Sequence, residues 1–480
     1  MKFILKSVQI PELSIYPEAM AAVSSETEIN PGYLTDASGY TGRAERVFVP
    51  SNEADVIEII RAAREERKPL TVAGAGSGLT GGRVAQGGWV LSLERFGKID
   101  VSEGKARCGA AATLLQIRDA AGPTRQFYAP DPTEITASVG GTVATNASGS
   151  RSFRYGITRR HVLALRMALM SGDVVEYRRG DRIDFPVEAV PLPDTRKCTA
   201  GYQLQPGMDW IDLFCGSEGT LGIVLEAELS LLPSPAEVFA GVIFFRSDDE
   251  ALDAVDSWRS VPDLRMLEYA DRNSLDLLAG RYPDIPRQAG AALLIEAEGD
   301  DVDAWEQRLT SAGALIDDSW FAVTAADRER FRKFRHSLPE LVIATVVKRG
   351  FLKMGTDYAV PVGHNREMLT YYRNSLEAEL PGKYVIYGHI GDAHVHVNML
   401  PATKEEAGRA SDLLGEFAGH AVALGGTVSA EHGIGKRKVS LLSLQYLPAQ
   451  IGAMMDVKRR LDPDWLLGRG TLFATPPEFA

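Results

Sequence analysis

The spacing of apolar residues predicts one helix and several short strands in the first part of the chain. Apolar positions within Val56–Ala63 recur at helical spacing, with Ser51 as the expected N-cap and Pro69 beyond the end of the helix. Short apolar runs at 70–73 and 89–93 predict strands. From there to the middle of the chain, short strand-like runs alternate with Gly and Pro turns, and long helical patterns are scarce.

A break in composition separates this first part from the next. The segment Leu232–Glu237 contains two prolines and no regular pattern. Beyond it strands alternate with helices, which predicts a separate α+β domain with helices on one face of a sheet. The predicted strands are 238–245, 291–297 and 384–387, and the predicted helices are 248–260, 301–312, 404–423 and 448–461.

Composition and charge disfavour several classes of protein. Of 480 residues, 45% are hydrophobic and 24% are charged, as in a folded globular chain. No apolar run reaches about 18 residues, and Met1–Leu13 lacks the apolar core of a signal peptide, so we expect no membrane span and no secretion. The net charge of −12 disfavours nucleic-acid binding. Three cysteines without CxxC spacing disfavour a disulfide framework or a cysteine-based metal site, and a cytoplasmic location follows.

The glycine-rich stretch Gly74–Gly82 is a candidate phosphate site. It contains a formal GxGxxG pattern, but a Rossmann fingerprint needs a helix at its last glycine, and Gly87-Gly88 leaves no room for a long one. Two interpretations remain, a nest of backbone N–H groups facing a pyrophosphate or a tight turn between strands. Further glycine loops favour the first, because together they suit one extended ligand of dinucleotide size. These loops are Pro130–Thr133, Ser138–Gly141, Asn146–Gly149 and Gly216–Ile223.

Four stretches of the chain together resemble the PCMH-type FAD-binding domain of the vanillyl-alcohol oxidase / p-cresol methylhydroxylase superfamily. They are Ala73–Gly82, Pro130–Gly149, Gly201-Tyr202 and Gly216–Ile223. The resemblance covers about residues 30–235 and returns in the C-terminal third. It implies an α+β fold with three segments. These are a PCMH-type FAD-binding domain of two α+β subdomains at 1–236, a substrate-binding cap domain with an antiparallel sheet covered by helices at 237–427, and a C-terminal segment at 428–480 that returns to the FAD domain.

The same resemblance assigns residues to FAD. The pyrophosphate would lie on Gly74, Ala75, Gly76, Ser77, Gly78 and Leu79. The flavin would be lined by Pro130, Asp131, Thr133, Ser138, Gly140, Gly141, Asn146 and Gly149, with Glu218, Gly222 and Ile223 near the adenosine part. Some members of the superfamily attach FAD through a histidine in the first loop, which this loop lacks, so non-covalent FAD is expected. The alternative for Asn146 and Glu218 is ordinary hydrogen bonding in turns.

Histidines cluster near the C-terminal end, where five of the eight lie between His389 and His432. On a strand, alternate residues share a face, so His394 and His396 would point the same way, and His389 would fold back toward them across a Gly-Asp turn. Glu431 adds a carboxylate. Two imidazoles and one carboxylate make up the ligand set of a catalytic divalent-metal site. The alternative is that these histidines cap turns or lie on a solvated strand, which the clustering disfavours.

Two histidine-containing segments resemble the C-terminal signature of FAD-linked D-2-hydroxyacid dehydrogenases, a group that includes D-lactate, D-2-hydroxyglutarate and glycolate dehydrogenases. The segments are Gly388–His396 and Glu431–Gly435. The resemblance implies that His389, His396 and Glu431 hold a divalent metal, either Zn, Mn or Fe. It also implies that His432 is the base, which takes the substrate's hydroxyl proton while hydride passes to flavin N5.

This chain departs from that signature at two places. Ala393-His394 stands where the family usually has Gly-Asn, and the extra imidazole either joins the metal or replaces a hydrogen bond to substrate. Gly468-Arg469-Gly470 stands where the family has Asn-Pro-Gly, which removes an asparagine expected near the flavin and adds a cation.

A substrate carboxylate needs a cation, and four candidates lie in the cap-domain stretch before Asp357. They are Arg332, Lys333, Arg335 and Lys353. The resemblance favours Arg335, whose planar guanidinium suits a carboxylate, with Lys353 as a weaker candidate. The alternative is a solvated basic face.

These observations predict an FAD-dependent, metal-assisted dehydrogenase that oxidises a D-2-hydroxyacid. The enzyme would pass the electrons to an external acceptor other than NAD. The candidates for the acceptor are a quinone, an electron-transfer flavoprotein or a cytochrome, and the commonest oligomer is a homodimer. One alternative has the same fold but non-redox chemistry that resembles alkyl-dihydroxyacetonephosphate synthase. Another is a metal-dependent hydrolase in which the glycine loops are only structural. A third is a non-catalytic flavin or metal carrier.

Overall fold

The computed structural model describes residues 23–24, 29–299 and 301–479, and for residues 23–24 only the backbone. The prediction for Met1–Leu13 lies outside these residues. The fold mixes helices with largely antiparallel sheets, so the predicted α+β class is confirmed. No helix among the described residues is both long and apolar enough to cross a membrane.

The first sheet has four strands in the order β1-β2-β4-β3, and β4 pairs in parallel with both β2 and β3. Its strands are β1 (Val23–Ser24), β2 (Arg46–Phe48), β3 (Leu70–Ala73) and β4 (Trp89–Ser92). Helix α1 (Glu53–Glu65) connects β2 to β3 and buries Val56, Ile59 and Ile60. The predicted cap, Ser51, is wrong. The Asn52 side chain caps α1 by accepting from Asp55 N, whereas the Ser51 N–H donates to the Asp55 carboxylate.

The second sheet is antiparallel, with five strands in the order β5-β6-β10-β8-β9. A separate pair joins β7 to β11. The strands in chain order are β5 (Ile99–Ser102), β6 (Lys105–Gly109), β7 (Gln126–Phe127), β8 (Val162–Ala168), β9 (Val174–Arg178), β10 (Ile223–Ser230) and β11 (Leu232–Pro233). The helices of this stretch are short: α2 (Leu114–Ala121), α3 (Val139–Thr145), α4 (Ser152–Tyr155), α5 (Thr158–His161) and α6 (Trp210–Phe214).

The third sheet is antiparallel, with seven strands in the order β15-β12-β14-β13-β17-β18-β16. The strands are β12 (Val238–Phe245), β13 (Leu264–Asp271), β14 (Ala291–Glu298), β15 (Trp320–Phe321), β16 (Met354–Gly355), β17 (Tyr384–Gly388) and β18 (His396–Met399). The helices are α7 (Asp248–Trp258), α8 (Arg272–Ala279), α9 (Val302–Ser311), α10 (Ala325–Lys348), α11 (Asn365–Glu379) and α12 (Lys404–Ala423).

Helices cover both faces of the third sheet, so the prediction that they cover one face is wrong. Residues of β12 alternate between two hydrophobic clusters, one containing Phe245 with α7 and α9, the other containing Phe244 with α8 and α10. All eight residues of β13 are buried, which requires packing on both sides of that strand.

The C-terminal residues pack against the first sheet. After helices α13 (Val439–Gln445) and α14 (Pro448–Leu461), the chain runs beside β3. The Leu70 N–H donates to Leu466 O at 2.8 Å, and the Gly468 N–H donates to Leu70 O at 2.8 Å. The predicted domain boundaries at 236 and 427 stay predictions, but this pairing brings the histidine-bearing last segment onto the glycine-loop sheet.

Candidate active site

One cavity of about 1020 Å³ brings the glycine loops and the histidine cluster together. Most of the residues predicted to bind FAD line it. They are Gly74, Ala75, Gly76, Ser77, Gly78, Leu79, Thr133, Ser138, Gly140, Gly141, Gly149, Glu218, Gly222 and Ile223. The predicted metal ligands His389, His396 and Glu431, with His432, line the same cavity. Its volume is at the upper end of the range for small-molecule sites, as an extended dinucleotide requires.

The loop after β3 offers backbone donors to a ligand. Within the described residues, the N–H groups of residues 76–79 have no hydrogen-bond acceptor. Gly76 has φ of +84°, in the left-handed region that favours glycine. A Cβ on Gly74 would lie 2.9 Å from Ser138 Oγ, so this part of the loop accepts no side chain. Unpaired N–H groups in a glycine loop form a nest for an anion, so the loop fits the pyrophosphate of FAD.

Three of the predicted FAD residues do not line the cavity. Pro130 does not line the cavity. The Asp131 carboxylate accepts hydrogen bonds from Ser150 Oγ at 2.8 Å and from the Arg151 N–H at 2.9 Å. Asn146 ends α3 with φ of +50° and accepts from the Arg159 N–H at 2.9 Å. In the described structure, Asp131 and Asn146 therefore hold the loops in shape.

Glu218 joins the last glycine loop to the C-terminal segment. It has φ of +53°, and its carboxylate accepts from the Ile434 N–H at 2.8 Å and the Gly435 N–H at 2.7 Å. Burial raises the pKa of Glu218 to about 7, against the effect of these two donors. This contact fixes the segment that follows His432 against the glycine loop Gly216–Ile223.

Three predicted ligands, His389, His396 and Glu431, converge on one point. His389 follows β17 and His396 begins β18, and their Nε2 atoms lie 3.3 and 3.2 Å from Glu431 Oε1. His389 Nδ1 lies 2.6 Å from Glu268 Oε1, and His396 Nδ1 lies 3.2 Å from the Thr356 carbonyl oxygen. Each Nδ1 donates to its oxygen acceptor, so each Nε2 is directed toward Glu431. Burial disfavours the charged form of His389, but Glu268 and Glu431 outweigh it and raise its pKa to about 9, so a bound cation would take the place of the proton on Nε2. Two oriented imidazoles beside a carboxylate fit a divalent metal.

The ammonium of Lys197 balances the negative charge of two buried carboxylates, those of Asp392 and Glu431. Its side chain is 1% exposed, and its Nζ lies 3.1 Å from Asp392 and 3.6 Å from Glu431. Burial disfavours ionisation of Glu431, but His389 and Lys197 outweigh it and hold its pKa well below the usual value. Glu431 also accepts from Ser148 Oγ at 2.9 Å. The carboxylate therefore stays ionised and fixed in place.

The proposed base, His432, lies against Asp357. His432 Nδ1 is 3.5 Å from Asp357 Oδ1, and its ring stacks on His396 with centroids 5.4 Å apart. Burial lowers the pKa of His432 to about 4, although Asp357 and Glu431 favour the charged form. Asp357 accepts from Lys438 Nζ at 2.8 Å. A neutral, oriented imidazole at the cavity wall can accept a proton.

The candidate substrate cations differ in how they are paired. Arg335 is engaged by Glu268, with Nε donating at 2.7 Å, and Arg332 is paired with Glu329 on its own helix. Lys353 lines the cavity, and no acidic side chain of the described residues forms an ion pair with it. Burial lowers the pKa of Lys353. Lys353, the weaker candidate by sequence, is thus the less neutralised cation, and Lys333 does not line the cavity.

Helix α10, which sequence patterning did not predict, supplies one wall of the cavity. Its lining residues recur at helical spacing: Arg332, Arg335, His336, Pro339, Glu340 and Ile343.

The stretch Gly468-Arg469-Gly470, which departs from the family signature, contributes Gly468 to the lining of the cavity. The Arg469 side chain instead turns back and donates to Trp465 O at 3.2 Å. Arg469 therefore adds no cation to the cavity wall.

Sequence reasoning missed Glu268, Lys197 and the role of Asp357. Each comes from an element far along the chain from the histidines, and no spacing in the sequence connects them. Strand β13 also contains Arg265 and Asp271, so no sequence pattern distinguishes Glu268 within it.

The fold and the cavity define an enzyme class, the flavin-dependent oxidoreductases. Residues 44–178 match the family described as FAD binding domain, and residues 234–472 match FAD linked oxidases, C-terminal domain. The chain belongs to this family of FAD-linked oxidases and is an FAD-linked oxidoreductase.

Named relatives match over most of their length. The chain is 31% identical over 440 residues to D-lactate dehydrogenase of Archaeoglobus fulgidus, covering 89% of this chain and 92% of that protein. It is 30% identical over 477 residues to glycolate oxidase subunit GlcD of Escherichia coli K12, covering 93% and 87%. A solved structure of alkyldihydroxyacetonephosphate synthase has a TM-score of 0.64 at 15% identity, covering 89% of this chain and 77% of that one. The last comparison shows the shared fold alone.

Proposed function

We propose that this protein oxidises a D-2-hydroxyacid of the lactate, 2-hydroxyglutarate or glycolate class to the 2-oxoacid, with non-covalent FAD and a divalent metal. The observation that carries the proposal is the convergence of the free N–H nest, the His389–His396–Glu431 set and His432 on one cavity. The relatives named D-lactate dehydrogenase and glycolate oxidase subunit support the substrate class.

The two groups that we propose to bind have distinct chemical contributions. When bound, FAD supplies a two-electron acceptor, and the metal supplies a Lewis acid that favours ionisation of the substrate hydroxyl. His389, His396 and Glu431 would hold the metal, and the N–H groups of residues 76–79 would hold the FAD pyrophosphate.

The chain's own residues handle the proton and the substrate carboxylate. His432 accepts the hydroxyl proton, and Asp357 orients its ring and stabilises the imidazolium that results. Lys353 and Arg335 bind the carboxylate, Lys353 as a mobile point charge and Arg335 as a planar donor held by Glu268. Electrostatic binding beside the base positions the C2 carbon for oxidation.

We further propose that the electron acceptor is a separate molecule other than NAD, such as a quinone, an electron-transfer flavoprotein or a cytochrome. The glycine loop after β3 is followed by strand β4 and not by the helix that a dinucleotide fingerprint of the Rossmann type requires. The three cysteines are all buried, and the described residues contain no cysteine cluster for an iron–sulfur centre.

An anaerobic titration tests the proposal directly. Purified holoprotein is titrated with D-lactate, D-2-hydroxyglutarate or glycolate, with and without a chelator, while the flavin absorption at about 450 nm is followed. We expect one acid to bleach this band and the chelator to block the bleaching. If the flavin band is still bleached after all metal has been removed, the proposed role of the metal is contradicted. A yellow protein that no hydroxyacid bleaches would contradict the substrate class.

A further inference from the structure

His394 is a fully buried imidazole without a hydrogen bond. Its exposed fraction is 0%, and neither ring nitrogen has a hydrogen-bond partner among the described residues. Its Nε2 lies 3.4 Å from Asp357 Oδ1. A polar group that is buried without a partner is costly, so one expects it to bind something that the protein atoms do not supply.

Asp357 accepts four hydrogen bonds from groups other than His394. The backbone N–H groups of Glu431 and His432 each donate to it at 3.1 Å. Ser429 Oγ and Lys438 Nζ each donate at 2.8 Å. Three of these donors share Oδ2 and only the Glu431 N–H reaches Oδ1, so Asp357 can satisfy at most the Nε2 of His394, and the Nδ1 of that ring still has no partner among the described residues.

The ring of His394 lies beside the proposed metal ligands. Its centroid is 5.3 Å from that of His389 and 4.7 Å from that of His396. One ligand atom from each of His389, His394, His396 and Glu431 can be chosen so that all four lie within 4.8 Å of one another. Ligands on opposite sides of one ion are about 4.2 Å apart for bonds of about 2.1 Å, so small side-chain movements bring all four onto one cation.

We propose that His394 is a fourth protein ligand, so that this chain binds its divalent cation with three imidazoles and one carboxylate. This inference rests on the metal site of the proposed function and extends it. Four protein ligands fill a tetrahedral site, so a bidentate hydroxyacid needs a cation that takes five or six ligands. Fe²⁺, Mn²⁺ and Co²⁺ satisfy this better than four-coordinate Zn²⁺, and the imidazole-rich set favours Fe²⁺ or Co²⁺ over Mn²⁺.

The experiment counts ligands on a probe metal. Apoprotein with FAD retained is loaded with Co²⁺, and X-ray absorption gives the number of imidazoles, while competition with a chromophoric chelator gives the Kd. We expect three imidazoles in the native chain and two in His394→Asn, with Co²⁺ affinity at least about tenfold weaker. His389→Asn is the positive control. His364→Asn, which changes an exposed histidine paired with Glu367, should match the native chain.

The outcomes separate this inference from the proposed function. A native chain that takes up no Co²⁺, Zn²⁺, Mn²⁺ or Fe²⁺ overturns both. A native chain with two imidazoles, unchanged in His394→Asn, overturns only the fourth ligand. His394→Phe keeps an aromatic ring without a nitrogen, and it serves as the second variant if His394→Asn does not fold, as judged by circular dichroism and flavin content. A variant that binds more weakly but keeps the native imidazole count also overturns the inference.

Discussion

Each histidine of the site has a role that its partners determine. His389 and His396 have Nδ1 engaged by an oxygen acceptor, which directs Nε2 to Glu431. His432 instead faces the cavity with Asp357 behind it and is 22% exposed, so a substrate can reach it. In the proposed function, the same side-chain type therefore serves as a ligand or as a base according to which nitrogen is already engaged.

Replacing His432 with Gln should separate cofactor binding from chemistry. We expect FAD to stay bound and the rate of flavin reduction by the hydroxyacid to fall by about 10²- to 10⁴-fold, the usual contribution of a positioned base. Anaerobic stopped-flow absorption measures this rate. His364→Gln, at an exposed histidine, is the control, and an unchanged rate in His432→Gln would show that another group takes the proton.

The pH dependence of flavin reduction should reflect the low pKa of His432. Burial lowers that pKa to about 4 from its usual value of about 6.5. A base acts while it is neutral, so the rate should stay level from about pH 8 to about pH 5 and fall as the pH approaches 4. Stopped-flow rates across this range test the prediction, and an acid limb centred near pH 6.5 would contradict it.

Lys197→Met should make the thermal stability of the protein depend more strongly on a bound divalent cation. The substitution leaves Asp392 and Glu431 buried without their ammonium, and breaking a buried ion pair costs about 3–5 kcal/mol. A divalent cation on Glu431 restores part of this loss, so the rise in Tm on adding metal should exceed that of the native protein. Lys383→Met, which breaks a more exposed pair with Glu406, is the control. Equal metal-dependent shifts in both variants would refute the compensating role of Lys197.

At the scale of elements, sequence pattern located many of the strands and helices but not the wall of the cavity. Strand β12 and helices α12 and α14 have the predicted bounds, because their apolar residues recur at the period of the element. Helix α10 was not predicted, because its first half is rich in charged residues and Pro339 lies inside it. The helix does carry an apolar stripe, formed by Phe331, Phe334, Leu338, Val342 and Val346, but the charged residues and the proline around it hid that spacing.

The candidate site was predictable only where its residues are close in sequence. His389, His396, Glu431 and His432 lie in short glycine-containing motifs whose spacing carries the signal. Glu268 and Lys197 reach the same point from β13 and from a loop more than 190 residues before His389. Tertiary pairing alone creates those contacts, so no local pattern contains them.

Gly76→Val should disrupt the loop that follows β3. Valine disfavours the positive φ of this position, and its Cβ would lie 2.7 Å from an Arg83 nitrogen. We expect the purified variant to lose most of its flavin and to regain it only at raised FAD concentrations, measured by the absorbance ratio at about 450 and 280 nm. Gly104→Val, at a positive-φ turn with open space around it, is the control for strain alone. Equal flavin content in both would contradict the role of the loop.

At the scale of the whole molecule, ion pairs join the second and third sheets beside the cavity. Arg151, just before α4, donates to Glu296 of β14 at 2.8 and 3.2 Å, while its backbone N–H donates to Asp131. Arg154 reaches Glu298 of the same strand at 3.2 Å. These contacts tie the segment after the glycine loop Asn146–Gly149 to the sheet from which His389 and His396 project.

Arg151→Met should loosen this junction. The substitution removes the guanidinium that pairs with Glu296, so the free energy of unfolding should fall by on the order of 3 kcal/mol and the Tm should fall with it. We also expect a raised KM for the hydroxyacid. Thermal unfolding and steady-state kinetics with a dye acceptor measure the two effects. Arg166→Met, which removes a more exposed pair with Glu53, is the control. A loss no larger than in this control would mean that the pair does not organise the cavity.

The pairing of β3 with residues near Leu467 has a consequence for synthesis in the cell. Translation proceeds at about 5–20 residues per second, so the glycine loop at 74–82 leaves the ribosome some tens of seconds before Glu431 does. During that interval the first sheet lacks its pairing with residues 466–468, and the cavity lacks Glu431, His432 and Gly468 from its lining. We therefore expect FAD to bind fully only after residues 466–468 have emerged, and messages that end before about residue 470 should yield colourless chains that proteases degrade.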